Sequence, residues 1–526
     1  MGAVRNILFI MSDQLRWDYL SHTGHPSLET PNIDSLTRRG VTFERTYVQA
    51  SVCGPARMSY YTGRYVTSHR SIWNYVPLPV SELTLGDYLR PAGMRVALTG
   101  KTHMAPDLAG MERLGIDPAS ERGVLLSECG FEPFDRDDGL YHQGLFPKLE
   151  TNYANYLRAK GYDSPNPWHD FANSAEGPGG EILSGWSLRN ARLPARVAEA
   201  DSETAYTTDR AIQFISEQGE APWCLHLSYI KPHWPYMAPA PYNDMYGPAD
   251  VKPVRRRPEE LTDPHPVYAA FMEHEESVAF RRAEVRETVI PTYMGMIKQI
   301  DDHLGRLFKV LEAQGRMDDT LIIFTSDHGD YLGDHYLGEK ELFHEEIIRV
   351  PFILADPDPA ADGTRGKVVN ELVESIDLVP TCLAYAGLEI PNHILEGRSL
   401  MPFLRGSPPD DWRDAVFCEV DYSFRHRTRT ALGRPIDGCR AFMVRTDRWK
   451  YVFYEGFPAQ LFDLENDPDE FHDLGRDAAH QPIRDEMHER LFTWFRNLNC
   501  RQGSPDETVA SWTERSETGG QRLGIW

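Results

Sequence analysis

One cysteine motif and four short polar clusters hold the residues of this chain that could do chemistry. The motif is Cys53-Gly54-Pro55-Ala56-Arg57, of the form C-x-P-x-R, with Thr62-Gly63-Arg64 just downstream. Cysteine is scarce, with seven in 526 residues, so the pattern is uncommon by composition alone. A structural reading stands beside a chemical one: Pro55 can open a helix, and Cys53 can be a small buried hydrophobe. The clusters are Asp13-Gln14, Lys101-Thr102-His103, Lys231-Pro232-His233 and Asp327-His328. A hard divalent ion takes carboxylate and carbonyl oxygens and tolerates one imidazole, which makes Asp13, Gln14, Asp327 and His328 candidate ligands. Aspartate at such a position also caps turns, so either pair alone carries little.

Each cluster follows a short apolar run: Asn6 to Met11, Arg95 to Thr99, Trp223 to Tyr229 and Thr320 to Thr325. Such runs, bounded by turn residues, read as buried strands, with a buried helix segment as the alternative that length alone does not exclude. Between them, Ile297, Ile300, Leu304, Leu307, Phe308 and Leu311 repeat at helical spacing, and Gly315 supplies a stop. Strands alternating with helices predict an α/β fold, a large mixed and mostly parallel sheet sandwiched by helices. In such sheets ligands bind beyond the carboxyl ends of the strands, where all four clusters fall. The stretch from Asp107 to Ala200 is rich in Gly and Pro and reads as loops over the site mouth.

The texture changes after Pro402 to Asp414, a Pro- and Asp-rich boundary. Ala415 to Val420, Arg440 to Arg445, Trp449 to Tyr454 and Leu461 to Leu464 read as a smaller C-terminal antiparallel sheet, with a helix near Pro482 to Leu498 packed on it. The expected division is 1–405 for a catalytic α/β domain and 406–526 for an α+β subdomain. Gly503 to Gly520 reads as a polar arm or frayed tail, and its aromatic tip, Leu523 to Trp526, suggests an arm that reaches a neighbouring subunit.

Lys and Arg number 55 against 79 Asp and Glu, a net charge of -24. That argues against nucleic acid as a partner, since phosphate backbones need a basic surface. It leaves room for a small anionic substrate, which a few local cations and a metal can hold. Ile7 to Ile10 is too short for a signal or membrane-spanning segment, so no membrane association is expected. The cysteines (53, 129, 224, 382, 418, 439, 500) are dispersed, with no C-x-x-C, which fits a reducing cytoplasm.

Taken in order, several stretches carry a family resemblance. Asn6 to Gln14 and Ile322 to Asp330 resemble the two metal-binding stretches of the alkaline phosphatase superfamily. With Thr30 to Leu36, Gly40 to Phe43, Cys53 to Arg64, Gly100 to His103, Pro232 to Pro235, Lys340, Arg349 to Pro351 and Leu461 to Leu464, the chain resembles the formylglycine-dependent sulfatases and their relatives, the phosphonate monoester hydrolases. The resemblance spans nearly the whole length.

The resemblance implies that a formylglycine-generating enzyme oxidises Cys53 to an aldehyde, whose hydrate is the nucleophile. One divalent metal ion, Ca2+ or Mn2+ ahead of Mg2+, would be held by Asp13, Gln14, residue 53, Asp327 and His328. Arg57 would orient the diol. Lys101 and Lys340 would bind the anionic oxygens, His233 and Lys340 would serve the leaving oxygen, and His103 would take a proton from the second hydroxyl. For Asn74 two readings stay open: a hydrogen bond to a substrate oxygen, or an Asx turn in its loop.

Most sulfatases have Asp at Gln14 and Asn at His328, so these residues lean toward the phosphonate branch. Lys101 with His103 is the sulfatase pattern. The expected activity is therefore hydrolysis of aryl sulfates, with promiscuous action on phosphonate monoesters and phosphodiesters. The alternative is a phosphonate monoester hydrolase and phosphodiesterase. A Ser/Thr-nucleophile phosphatase or mutase is disfavoured by Cys53, and a non-catalytic binding protein would require that Cys53 never be oxidised. A homodimer or homotetramer is expected.

Overall fold

The computed structural model describes residues 6–498 and 503–518. Its main element is an eight-stranded sheet. The strands are β1 (Asn6–Asp13), β2 (Val41–Phe43), β3 (Arg95–Gly100), β4 (Glu132–Arg136), β5 (Trp223–Pro232), β6 (Thr320–Ser326), β7 (Phe352–Ala355) and β8 (Val368–Val369). Their spatial order is β8-β2-β7-β6-β1-β5-β3-β4. Only β7 runs against the rest, pairing antiparallel with both β2 and β6.

Alternation along β1 explains the layering. Ile7, Phe9 and Met11 join one core with Met58, Tyr60 and Tyr61 of the Cys53–Thr62 helix. Leu8 and Ile10 join a second core with Phe214 and with Ile297, Ile300 and Leu304 of the long Ala283–Ala313 helix. Successive side chains of a strand point to opposite faces, so an unbroken apolar run must be covered on both sides. The long helix ends where the sequence indicates, and Gly315 turns left-handed at φ 67°.

Register aligns the ends that matter. Met11 of β1 faces Ser228 of β5 on one side and Thr325 of β6 on the other. Gly100 of β3 faces the same Ser228. Parallel strands in this register deliver Asp13, Asp327, Lys101 and His233 to one edge.

Two expectations change. The stretch from Asp107 to Ala200 is more than loops: it contributes β4 and the helices Leu108–Leu114, Glu121–Ser127 and Asn152–Ala159. Tyr153, Leu157 and Trp168 build a separate apolar cluster there. Pro133 masks β4 in the sequence, but proline is tolerated on an edge strand, and β4 is an edge. The segment read as an arm or frayed tail contains a helix, Asp506–Thr518, with Asp506 and Glu507 suiting the positive end of its dipole. The tip from Leu523 to Trp526 lies outside the described residues.

The C-terminal sheet is antiparallel throughout: Val416–Asp421, Arg440–Arg445, Trp449–Tyr454 and Gln460–Asp463. The Gln481–Arg496 helix covers it with Met487 and Leu491 against Val444, Tyr451 and Leu461. Glu419 N–H donates to Gln49 O at 2.9 Å, tying this sheet to the chain just before Cys53.

Candidate active site

Asp13 ends β1, Asp327 and His328 follow β6, Lys101 follows β3, and His233 follows β5. Gly100 makes the β3 exit possible. Its φ is +103°, and a Cβ there would meet Ser228 O at 1.9 Å, so only glycine fits. Cys53 is the first residue of its helix, wholly buried, with Pro55 in the first turn. The structural reading of the motif is thus also true: the helix opens there, and the thiol is sequestered.

Cys53 Sγ lies 3.0 Å from His328 Nε2, 3.2 Å from Lys340 Nζ and 3.8 Å from Asp13 Oδ1. One donor atom from each of Asp13, Cys53, Asp327 and His328 falls within 4.8 Å of all the others. His328 Nδ1 is 2.8 Å from Gly329 O, a partner that can only accept. The ring proton therefore sits on Nδ1, and the Nε2 lone pair faces the cluster. Two carboxylates, one imidazole lone pair and residue 53 converging in a buried space fit a divalent cation.

Gln14 is brought to the same place by a left-handed turn, φ 63°. Its Nε2 donates to Asp330 Oδ2 at 2.5 Å, and its Oε1 accepts from Lys340 Nζ at 3.1 Å. Tyr236 Oη donates to the same Asp330 oxygen at 2.6 Å. The amide orientation of Gln14 is therefore fixed, with its carbonyl turned to the lysine. Asp330 stands two residues beyond His328, in the stretch that resembles a metal site, yet its service to Gln14 has no signature in sequence.

Arg57 is wholly buried with its donors engaged. Nε donates to Asp327 Oδ2 at 2.8 Å, Nη2 to Asp13 Oδ2 at 3.2 Å, and Nη1 to Lys101 O at 2.9 Å and Ser228 Oγ at 2.8 Å. It holds the two carboxylates in place, a structural role that the sequence reading, which gave it the diol of residue 53, did not include. Lys101 Nζ also contacts Asp13 Oδ2. Burial disfavours the Asp13 carboxylate, but the Lys101 and Arg57 charges hold it well below the usual range. Burial and the Asp13 charge push the Cys53 thiol up to about 12, which makes it a poor nucleophile as it stands.

Lys340 Nζ meets His233 Nε2 at 3.2 Å, while His233 Nδ1 is 2.6 Å from Trp234 O. The imidazole is thus neutral at Nε2, and burial with the Lys340 charge keeps its pKa well below the ordinary value. His103, at φ 55°, is buried with neither ring nitrogen hydrogen-bonded. Burial and Lys101 hold it neutral as well. Asn74 Oδ1 accepts from Gly54 N–H at 2.7 Å, and a Cβ on Gly54 would crowd that oxygen at 2.8 Å. Its carbonyl therefore braces the first turn of the Cys53 helix.

The family model described as Sulfatase matches residues 5–388, and one described as N-sulphoglucosamine sulphohydrolase, C-terminal, matches 333–497. The multifunctional alkaline phosphatase superfamily protein PehA of Trinickia caryophylli is 33% identical over 511 residues, covering 93% of this chain and 95% of its own. The crystal structure of the phosphonate monoester hydrolase of Agrobacterium radiobacter superposes with a TM-score of 0.81 at 31% identity, over 96% of this chain and 97% of that one. The phosphonate monoester hydrolase from Silicibacter pomeroyi gives 0.81 at 28% identity, over 95% and 97%. With the buried cluster around residue 53, these matches establish that the chain belongs to the sulfatase family of the alkaline phosphatase superfamily, a group of formylglycine- and metal-dependent hydrolases, close to its arylsulfatase and phosphonate monoester hydrolase branches.

Proposed function

We propose that this enzyme hydrolyses phosphonate monoesters and phosphodiesters as its main substrates, with aryl sulfates turned over less efficiently. This is the alternative of the sequence reading, raised above its aryl-sulfate-first expectation. The observation that carries it is the full-length likeness to two phosphonate monoester hydrolases, joined to a neutral Gln14 held against Lys340. A neutral amide where most sulfatases carry a carboxylate leaves the site more positive. Phosphonate monoesters, phosphodiesters and sulfate monoesters each carry one negative charge, whereas a phosphate monoester carries close to two near neutral pH.

When residue 53 is formylglycine and a divalent ion, Ca2+ or Mn2+ ahead of Mg2+, is bound, the hydrated aldehyde supplies the nucleophile and the ion neutralises charge. Asp13, Gln14, residue 53, Asp327 and His328 would hold that ion, and Arg57, which fixes the two carboxylates, would orient the diol. Lys101 and Lys340 bind the anionic oxygens of the ester, a preorganised countercharge. Lys340 and His233, 3.2 Å apart, serve the leaving oxygen. His103, neutral and unpartnered, accepts the proton from residue 53 that releases the product. The amide nitrogen of Asn74 remains assigned to a substrate oxygen, beside the carbonyl's structural bond.

The remaining assignments follow the same reading. A formylglycine-generating enzyme matures Cys53, and the protein works as a cytoplasmic homodimer or homotetramer. Residues 1–405 form its catalytic domain and 406–526 its subdomain. No helix among the described residues is long and apolar enough to cross a membrane.

The test is kcat/KM on matched aryl phosphonate monoester, phosphodiester, sulfate and phosphate substrates. Phosphonate monoester or phosphodiester should lead. Aryl sulfate leading by more than about tenfold, ~1.4 kcal/mol of transition-state discrimination, would return the assignment to arylsulfatase. A phosphate monoester in front would overturn the charge argument.

A further inference from the structure

Lys340 sits in a loop that its own neighbours do not favour. Glu339 and Glu341, on either side of it, both have left-handed backbones, φ 63° and 99°. Non-glycine residues hold such conformations only when surrounding contacts impose them. Both carboxylates are turned inward and buried.

The imposing contact comes from far along the chain. Arg425 Nε lies 2.7 Å from each Glu341 carboxylate oxygen, and Arg425 Nη2 is 3.2 Å from Glu339 Oε2. Glu339 Oε1 accepts from Trp234 Nε1 at 2.7 Å and lies 3.4 Å from Lys340 Nζ. One guanidinium thus grips the carboxylates before and after the lysine. The preceding residue, Phe424, stacks its ring on Trp73 at 5.5 Å and 2°, next to Asn74.

Charge makes the arrangement consequential. Arg425 and Lys340 face three carboxylates, Glu339, Glu341 and, 3.7 Å from Arg425 Nη2, Glu276. Remove Arg425, and Glu341 is left buried without its cation. A buried unpaired carboxylate is costly, and Glu339, which shares Arg425 with Glu341, would turn more fully to the Lys340 ammonium already 3.4 Å from its Oε1. Drawn toward the glutamates, Lys340 would leave Cys53, Gln14 and His233.

We infer that Arg425 is a positioning residue that holds Lys340 over residue 53 by occupying the flanking glutamates. The inference rests on the role proposed for Lys340 at the leaving oxygen. It is independent of which ester the enzyme prefers.

The test is a double-mutant cycle of Arg425→Met and Lys340→Ala on a series of aryl esters with leaving groups of rising pKa, using whichever ester class the wild type turns over best. Arg425→Met should lower kcat at least about tenfold on poor leaving groups and less on good ones. In the Lys340→Ala background it should cost under about twofold, because two residues acting on one interaction are not additive. Arg425→Lys, which can pair with only part of the cluster, should recover some of the loss. Multiplicative losses, or a loss equal across leaving groups, would overturn the inference while leaving Lys340 its role. A Lys340→Ala enzyme of normal rate would overturn both. Should Arg425→Met fail to fold, Glu341→Gln in the same cycle must show the same dependence on Lys340, or the inference is wrong.

Discussion

Arg57 Nε and Asp327 Oδ2 lie 2.8 Å apart with both side chains wholly buried, and the same guanidinium reaches Asp13 Oδ2 at 3.2 Å. One cation therefore underwrites both carboxylates of the candidate metal site. Arg57→Ala should destabilise the metal-free protein by about 3–5 kcal/mol, the range for a broken buried pair. Chemical denaturation in a chelator measures this. A loss under about 1 kcal/mol would mean the pair is solvated or protonated.

Cys53→Ala should keep the fold and lose nearly all turnover, since no other side chain can become formylglycine. Circular dichroism and steady-state rates at full metal loading check both halves. Intact mass of the wild type should show replacement of CH2–SH by CHO. Most of the wild-type rate surviving in Cys53→Ala would refute the reading.

Asp13→Asn and Asp327→Asn each remove a carboxylate of the proposed metal site. Activity should fall by about two or more powers of ten, with lower bound metal after dialysis against a weak chelator. Metal content by elemental analysis separates lost binding from lost chemistry. If both variants keep metal and rate, the ion is held elsewhere.

His103→Ala should separate the two halves of the reaction. The first turnover releases phenol in a burst, subsequent turnovers stall, and the intact mass carries the transferred group. Stopped-flow absorbance and quenched-sample mass read these out. Loss of rate with neither burst nor added mass would place His103 before the first step.

His335 tests the electrostatics of the core away from the site. Burial disfavours its charged ring, but the Glu260 carboxylate 2.7 Å from Nδ1 and the Glu346 carboxylate 3.6 Å from Nε2 outweigh it, raising the pKa to about 10. A folded-state pKa above the unfolded one gives stability that is complete below about pH 6.5 and lost as pH rises through 10. The stability advantage of wild type over His335→Gln should shrink between pH 7 and 10, by at most about 1.4 kcal/mol per pH unit. Denaturation midpoints at pH 7, 8.5 and 10 measure it. A difference independent of pH would show that the ring is already neutral.

Much of this was already present in the sequence. Apolar runs ending in Asp13, Lys101, His233 and Asp327 indicate where strands stop, because a short apolar run bounded by turn residues has the length of a buried strand and polar residues must emerge where it ends. The motif at Cys53 to Arg57 marks the helix of the proposed nucleophile, because cysteine, proline and arginine at that spacing are local. The C-terminal strands and helix are legible for the same reason, being periodic over short distances.

What only the tertiary structure decided are relations across long separations. Gln14 takes its orientation from Asp330 and Tyr236, Arg57 turns to Asp13 and Asp327, and Lys340 stands between glutamates gripped by Arg425. None of these pairs is near in sequence, and none has a periodicity. Strand β4 was hidden by Pro133 because proline is unfavourable in a strand until the strand is known to lie at an edge. Charge pairing in a buried site depends on which groups the fold brings within a few ångströms, and residue types alone do not carry that distance.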